Sequence, residues 1–169
     1  MKSTDIIGIE FEEYLSKILE NTKLSTMKEY IQHGSTSCFW HSVAVAYYSA
    51  FIVKKLNIKC DLESLIIGGL LHDYFLYDWH IPDKTHHLHG FTHPNKAFLN
   101  AKRDWKINSI EENIIKSHMF PLTPVLPRHK ESIIVCIIDK YCSIVEILKK
   151  DPYKRLKKEY DFNNRREKV

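Results

Sequence analysis

Apolar residues recur at helical spacing along most of the chain. In residues 9–22 the positions Ile9, Phe11, Tyr14, Leu15, Ile18 and Leu19 share one face and predict a packing helix, and Ser25 is placed to cap a second, short helix running to Ile31. Gly34-Ser35-Thr36-Ser37 breaks the pattern. Ser37 is then a natural N-cap for a long helix over 38–56, stopped at Asn57. That helix is apolar nearly all round (Phe39, Trp40, Val43, Ala44, Val45, Tyr47, Tyr48, Phe51, Ile52), so it belongs at the centre of the fold. Asp61 caps the next one, over 62–75, whose run Leu65-Ile66-Ile67-Gly68-Gly69-Leu70-Leu71 ends in His72-Asp73.

An irregular stretch, 77–91, follows, rich in aromatic and polar residues (Asp78, Trp79, His80, Asp83, His86, His87, His89). A connection of that length in a compact domain calls for a functional reason such as a binding edge. Thr92-His93-Pro94 restarts a helix, with Thr as N-cap and Pro in the first turn, that reaches about Asp104. Ser109-Ile110-Glu111-Glu112 reads as a capping box for a helix ending near His118. After a turn carrying Pro121, Pro124 and Pro127, a last core helix spans 129–149. No hairpin signal is evident, and the one β-like run, Ile133 to Ile138, continues at helical spacing through Tyr141, Val145 and Leu148. The expected fold is all-α, a bundle of about six to seven helices in one domain over 1–169, with its core over about 30–148.

The chain is 44% hydrophobic and 12% aromatic, which places it among globular proteins. Its formal charge of +4 is concentrated at one end: residues 149–169 hold nine Lys/Arg against four Asp/Glu, leaving the body near −1. The body therefore does not ask for nucleic acid, and the basic tail reads as a solvated helix end. Cys38, Cys60, Cys136 and Cys142 show no C-x-x-C spacing, and no signal peptide precedes them, so they read as free thiols. No apolar stretch is long enough to span a membrane, and the expected location is the cytoplasm.

Polar residues inside apolar helices carry the candidate chemistry. His41 interrupts the central helix, and Asp139 interrupts an even more apolar one. A lone buried histidine is ordinarily a satisfied core residue, but an uncompensated buried carboxylate is among the costliest groups to bury. His72-Asp73 presses an imidazole and a carboxylate against the core together, for which a bound cation is the cheapest partner. His93 lies at a helix start and His118 at a helix end, each next to a proline-containing turn, and His89 lies four residues before His93.

In chain order these residues read His41, His72-Asp73, His93, His118, Asp139. The pattern resembles the HD-domain superfamily, over roughly residues 30–145, and the His-Pro and Ser-His-Met-Phe-Pro contexts resemble members that hold two metals. The resemblance implies that His41, His72, Asp73 and Asp139 bind a first divalent transition metal (Mn, Fe, Ni, Co or Zn), and that Asp73 bridges to a second held by His93 and His118. His89 is the alternative to His93. Asp73 is followed by Tyr74-Phe75-Leu76 and no Gly-Tyr-Pro stands near His118, so the cyclic-dinucleotide phosphodiesterase branch is not supported.

The implied activity is metal-dependent hydrolysis of a phosphorylated small molecule or nucleotide, with Asp73 bridging and orienting at the catalytic centre. Arg128, Lys140 and His89, with His86 and His87, are the candidate contacts to substrate phosphate. Two other readings share the ligand order: a di-iron oxygenase that cleaves a carbon bond, and a non-catalytic sensor that binds a nucleotide.

Overall fold

The computed structural model describes residues 7–81 and 88–160. His86 and His87 lie outside them. The fold is all-α. Helix α1 (Gly8–Asn21) buries Phe11, Leu15 and Ile18, and a 3₁₀ segment (Leu24–Glu29) follows. Next come two short strands, β1 (Ile31–His33) and β2 (Thr36–Ser37), and then helices α2 (Cys38–Lys55), α3 (Leu62–Leu71), α4 (His89–Asp104), α5 (Ser109–Ser117), α6 (Lys130–Leu148) and α7 (Lys154–Tyr160). Among the described residues no helix is long and apolar enough to cross a membrane. The four cysteines are free.

Helix α2 is the central element, as its all-round apolar character requires. Ser37 caps it by accepting the Trp40 N–H, and Asp61 caps α3 by accepting the Ser64 N–H at 3.0 Å. The two helices meet at Gly69, where an added Cβ would lie 2.9 Å from the Ala46 Cα. A side chain there must push the backbones apart. Gly69→Val is expected to destabilise the protein by about 2–3 kcal/mol through overpacking, read as a lower denaturant midpoint; an unchanged midpoint would contradict this packing.

Several boundaries differ from the sequence expectation, each for a local reason. The segment after α1 is a 3₁₀ turn rather than a Ser25-capped α-helix: Thr22 Oγ1 accepts the Leu24 N–H, and threefold spacing turns both Leu24 and Met27 into the core. The break at Gly34 is a hairpin. Its strands pair across the two-residue loop Gly34-Ser35, and Gly34 has a positive φ of 57° with the Glu146 carbonyl oxygen 2.7 Å from where a Cβ would be. Helix α3 stops at Leu71 instead of Phe75.

Helix α4 begins at His89 and not at Thr92, whose hydroxyl donates back to the Leu88 carbonyl instead of capping. The capping box of α5 is Asn108 with Glu111, one residue earlier than expected. Asn108 Oδ1 accepts the Ile110 and Glu111 N–H groups, while Glu111 accepts the Asn108 N–H at 3.1 Å. The basic tail is not simply a solvated end: α7 buries Leu156 and Tyr160, and the Tyr160 ring packs edge-on against Phe11 of α1 at 5.1 Å. The buried set thus extends on both sides of the expected core limits.

Candidate metal centre

Three helices and two helix ends deliver their polar residues to a single buried point. His41 sits in the first turns of α2, on its inner face, fully buried. Because α3 ends at Leu71, His72 and Asp73 leave the helix together. Both side chains face the same centre, with His72 Nε2 3.4 Å from Asp73 Oδ2. His118 occupies the same position at the end of α5 that His72 occupies at the end of α3. Both are C-cap residues with right-handed helical dihedrals (φ −58°, ψ −35° and φ −58°, ψ −28°). Each ring reaches back to the carbonyl three residues earlier, His72 Nδ1 to Gly69 at 2.8 Å and His118 Nδ1 to Ile115 at 2.7 Å.

His93, one turn into α4, does the same with the carbonyl of His89 at 2.8 Å, and His41 Nδ1 meets the Glu146 carboxylate at 2.8 Å. A carbonyl or carboxylate can only accept. All four rings therefore carry a proton on Nδ1 and turn Nε2 inward, the arrangement in which a neutral imidazole offers a metal its lone pair.

The inward atoms fall into two groups that share Asp73. On one side Asp73 Oδ2 lies 3.4 Å from His72 Nε2 and 3.7 Å from His41 Nε2, and Asp139 Oδ1 lies 3.6 and 3.0 Å from the same two nitrogens. On the other side Asp73 Oδ1 lies 3.2 Å from His93 Nε2 and 3.3 Å from His118 Nε2. His41, His72 and Asp73, and again Asp73, His93 and His118, offer donor atoms that are mutually close enough to hold an ion.

The donors fit a metal better than they fit each other. His72 Nε2 and Asp73 Oδ1 are buried without a hydrogen-bond partner. His93 Nε2 and His118 Nε2 face each other at 2.8 Å, where two lone pairs repel unless a cation lies between or beside them. Charge tells the same story. Burial alone disfavours a charged His41, yet its hydrogen bonds to Asp139 and Glu146 reverse this and raise its pKa well above the usual imidazole range. His72, likewise desolvated, is pushed up to about 9 by Asp73 and Asp139. Burial raises the carboxyl pKa values of Asp73 and Asp139, but the surrounding histidines outweigh it and hold both well below the usual range. The half of the cluster that draws protons onto His41 and His72 in this way is short of positive charge, while burial lowers the pKa of His118. Nitrogen and carboxylate oxygen donors together suit Mn, Fe, Co, Ni or Zn.

Two supporting residues were not singled out in the sequence. Glu146 is buried on the inner face of α6, two turns beyond Asp139, and the Tyr153 hydroxyl donates to it at 2.7 Å. Its signal was that seven-residue spacing from Asp139. Glu146→Gln is expected to weaken metal affinity about tenfold, as loss of a charged partner to a ligating histidine does, in a chelator competition; unchanged affinity would mean the contact does not orient His41. Gln32 of β1 donates from Nε2 to Asp73 Oδ2 at 2.7 Å, and its Oε1 accepts from the Cys38 thiol at 2.9 Å. A polar residue in a three-residue strand leaves no periodic trace.

A cavity of about 640 Å³ opens onto Asp73, His93, His118 and Asp139. Its further walls include Trp79, Met119, Pro121, Leu122 and Ile144, with Gln32 and His33 from the hairpin. His89 lines it too, with its ring stacked between Trp79 and His93 (centroids 5.1 and 4.5 Å) and its Nδ1 2.8 Å from the Tyr77 hydroxyl. It is His93, and not His89, that meets Asp73 and His118. Lys140 also lines the cavity, with its ammonium donating to the His118 carbonyl at 2.9 Å and the Cys136 carbonyl at 3.1 Å. Arg128 is not brought to this cavity: it lines a separate groove with Glu112, Lys116 and His129.

No curated protein and no solved structure matched the chain. The family model for the HD domain matches residues 39–144, the span that runs from the start of α2 through both donor groups and past Asp139. The chain belongs to the HD-domain family.

Proposed function

We propose that the chain is a metal-dependent phosphohydrolase acting on a phosphorylated small molecule or nucleotide. HD domains bind divalent metals, and the observation that carries the reading is the divided carboxylate of Asp73, one oxygen toward His41 and His72, the other toward His93 and His118. A divalent metal bound there supplies a water of lowered pKa and offsets charge on a phosphoryl group.

The chain's own residues account for the rest of the site. Asp73 joins the two donor groups and is itself oriented by Gln32. Asp139, with its Oδ1 3.0 Å from His41 Nε2, completes the first group. Lys140 adds a fixed positive charge at the cavity wall that favours an anionic substrate, held in place by the carbonyls of His118 and Cys136. Burial, and then the nearby His41, lower the pKa of His33, so this ring faces the cavity neutral and able to hydrogen-bond. Met119, Leu122 and Ile144 offer apolar surface to the organic part of the ester. A volume of about 640 Å³ accommodates a compact metabolite.

The test is metal analysis of anaerobically purified protein, followed by a phosphate-ester screen with Mn, Ni, Co and Fe added back. The expected result is metal-dependent release of inorganic phosphate, lost in Asp73→Ala. Oxygen consumption by the iron-loaded, reduced protein without phosphate release would replace this reading with the oxygenase. Nucleotide binding without turnover under any metal would replace it with the sensor.

A further inference from the structure

Helix α6 buries three acidic residues among Ser132, Val135, Cys136 and Cys142 and leaves large apolar residues on its outer face. Its buried face carries Glu131, Asp139 and Glu146, whereas its exposed residues are Ile133, Ile137, Tyr141, Ile144, Ile147 and Leu148 with two lysines, Lys130 and Lys140. The helix cannot turn these apolar side chains inward, because the face that points inward is the one that supplies Asp139 and Glu146 to the metal centre. Nor do the lysines break up the outer face, since the Lys130 ammonium donates to the Lys59 carbonyl and that of Lys140 to the His118 carbonyl. The apolar residues are far from marginally exposed: Ile133 is 45%, Ile137 60%, Ile147 68% and Leu148 76% accessible.

Together the six side chains present on the order of 700 Å², above the about 300–600 Å² of the largest apolar patch on an ordinary monomer and close to the about 800 Å² that each partner contributes to a standard interface. Their spacing also selects the partner. Ile133, Ile137, Tyr141, Ile144 and Leu148 follow one another at intervals of four, four, three and four residues, the repeat of a helix-to-helix seam. The four outer positions of the stripe are symmetric about a midpoint between 140 and 141, and Tyr141 falls opposite Lys140. Laid antiparallel on a second α6, position 133 meets 148 and 137 meets 144, with a two-fold axis between positions 140 and 141. A patch that complements itself in this way is what an isologous dimer requires.

We infer that the outer face of α6 is the interface of a homodimer in which two α6 helices pack antiparallel. Because Ile144 lies both on the stripe and on the wall of the metal-centre cavity, the second copy sits at the edge of that cavity. The inference is independent of the reaction proposed for the site.

Sedimentation velocity on the metal-loaded full chain at micromolar concentration tests it. The expected wild-type mass is about twice the 20.0 kDa of one chain. Ile137→Glu, which places two carboxylates symmetrically in the seam, is expected to give a single-chain mass with unchanged helix content and metal content. A second variant guards against misfolding: Ile133→Cys/Leu148→Cys is expected to form an inter-chain disulfide under mild oxidation, while neither single cysteine variant does. A wild-type protein of single-chain mass would overturn the inference, as would an Ile137→Glu variant that stays dimeric. So would a monomer that sediments with phosphatidylglycerol vesicles, which would assign the face to a lipid surface.

Discussion

Asp73→Ala is expected to emerge from purification with no bound transition metal and to lose hydrolytic activity by about 10³-fold or more, beyond the loss of any single electrostatic contact at an active site. The magnitude follows from its position: each of its two oxygens belongs to a different donor group, so one substitution removes a ligand from both. What remains on the first side is two imidazoles and Asp139, and on the second only two imidazoles. The fold should lose far less than the site. The substitution leaves the Gln32 amide without its acceptor, a cost of about 1–3 kcal/mol, but it also removes the desolvation cost of a buried carboxylate. Metal analysis beside a denaturation curve checks both halves. Wild-type metal content in Asp73→Ala would place the ions elsewhere.

The second large effect separates the two groups. Wild-type protein is expected to take up two ions per chain at saturation, and His93→Ala and His118→Ala each to bring the number to about one while the fold survives. The 2.8 Å approach of His93 Nε2 to His118 Nε2 makes these two rings interdependent, so removing either leaves the other with Asp73 alone. The first group, on the opposite oxygen of Asp73, keeps all its donors. A metal titration read by chelator competition distinguishes the outcomes. One high-affinity ion, unchanged in both variants, would make His93 and His118 structural. A loss in His89→Ala but not in His93→Ala would move the ligand by one turn of α4.

Much of this architecture is legible in the sequence because it rests on local signals. Ser37 and Asp61 cap the helices they were expected to cap, and the all-round apolar character of residues 38–56 marks the central helix. His41, His72, Asp73, His93, His118 and Asp139 stand out because a polar group in an apolar setting needs a partner, and the structure brings their side chains to one point.

What escapes the sequence depends on contacts between distant residues. The hairpin strands are three and two residues long, too short for any alternation, yet they bring Gln32 to Asp73 across 41 positions. Glu146 looks like one more charge on a helix until its carboxylate is found beside a histidine 105 residues away. Arg128 and Lys140 were equivalent as nearby cations. Only tertiary packing sends one to the cavity and the other to a different groove. The short helix over 154–160 was hidden by its basic composition, because its lysines face solvent while Leu156 and Tyr160 do the packing.

The bridging role proposed for Asp73 is tested most directly by an anomalous-difference map from crystals grown with manganese. The expected map shows two peaks per chain about 3.5–4 Å apart, as in two-metal sites generally. One peak lies against Nε2 of His41 and His72, the other against Nε2 of His93 and His118, and both contact Asp73. A single peak, or two peaks of which either is out of contact with Asp73, would contradict the account.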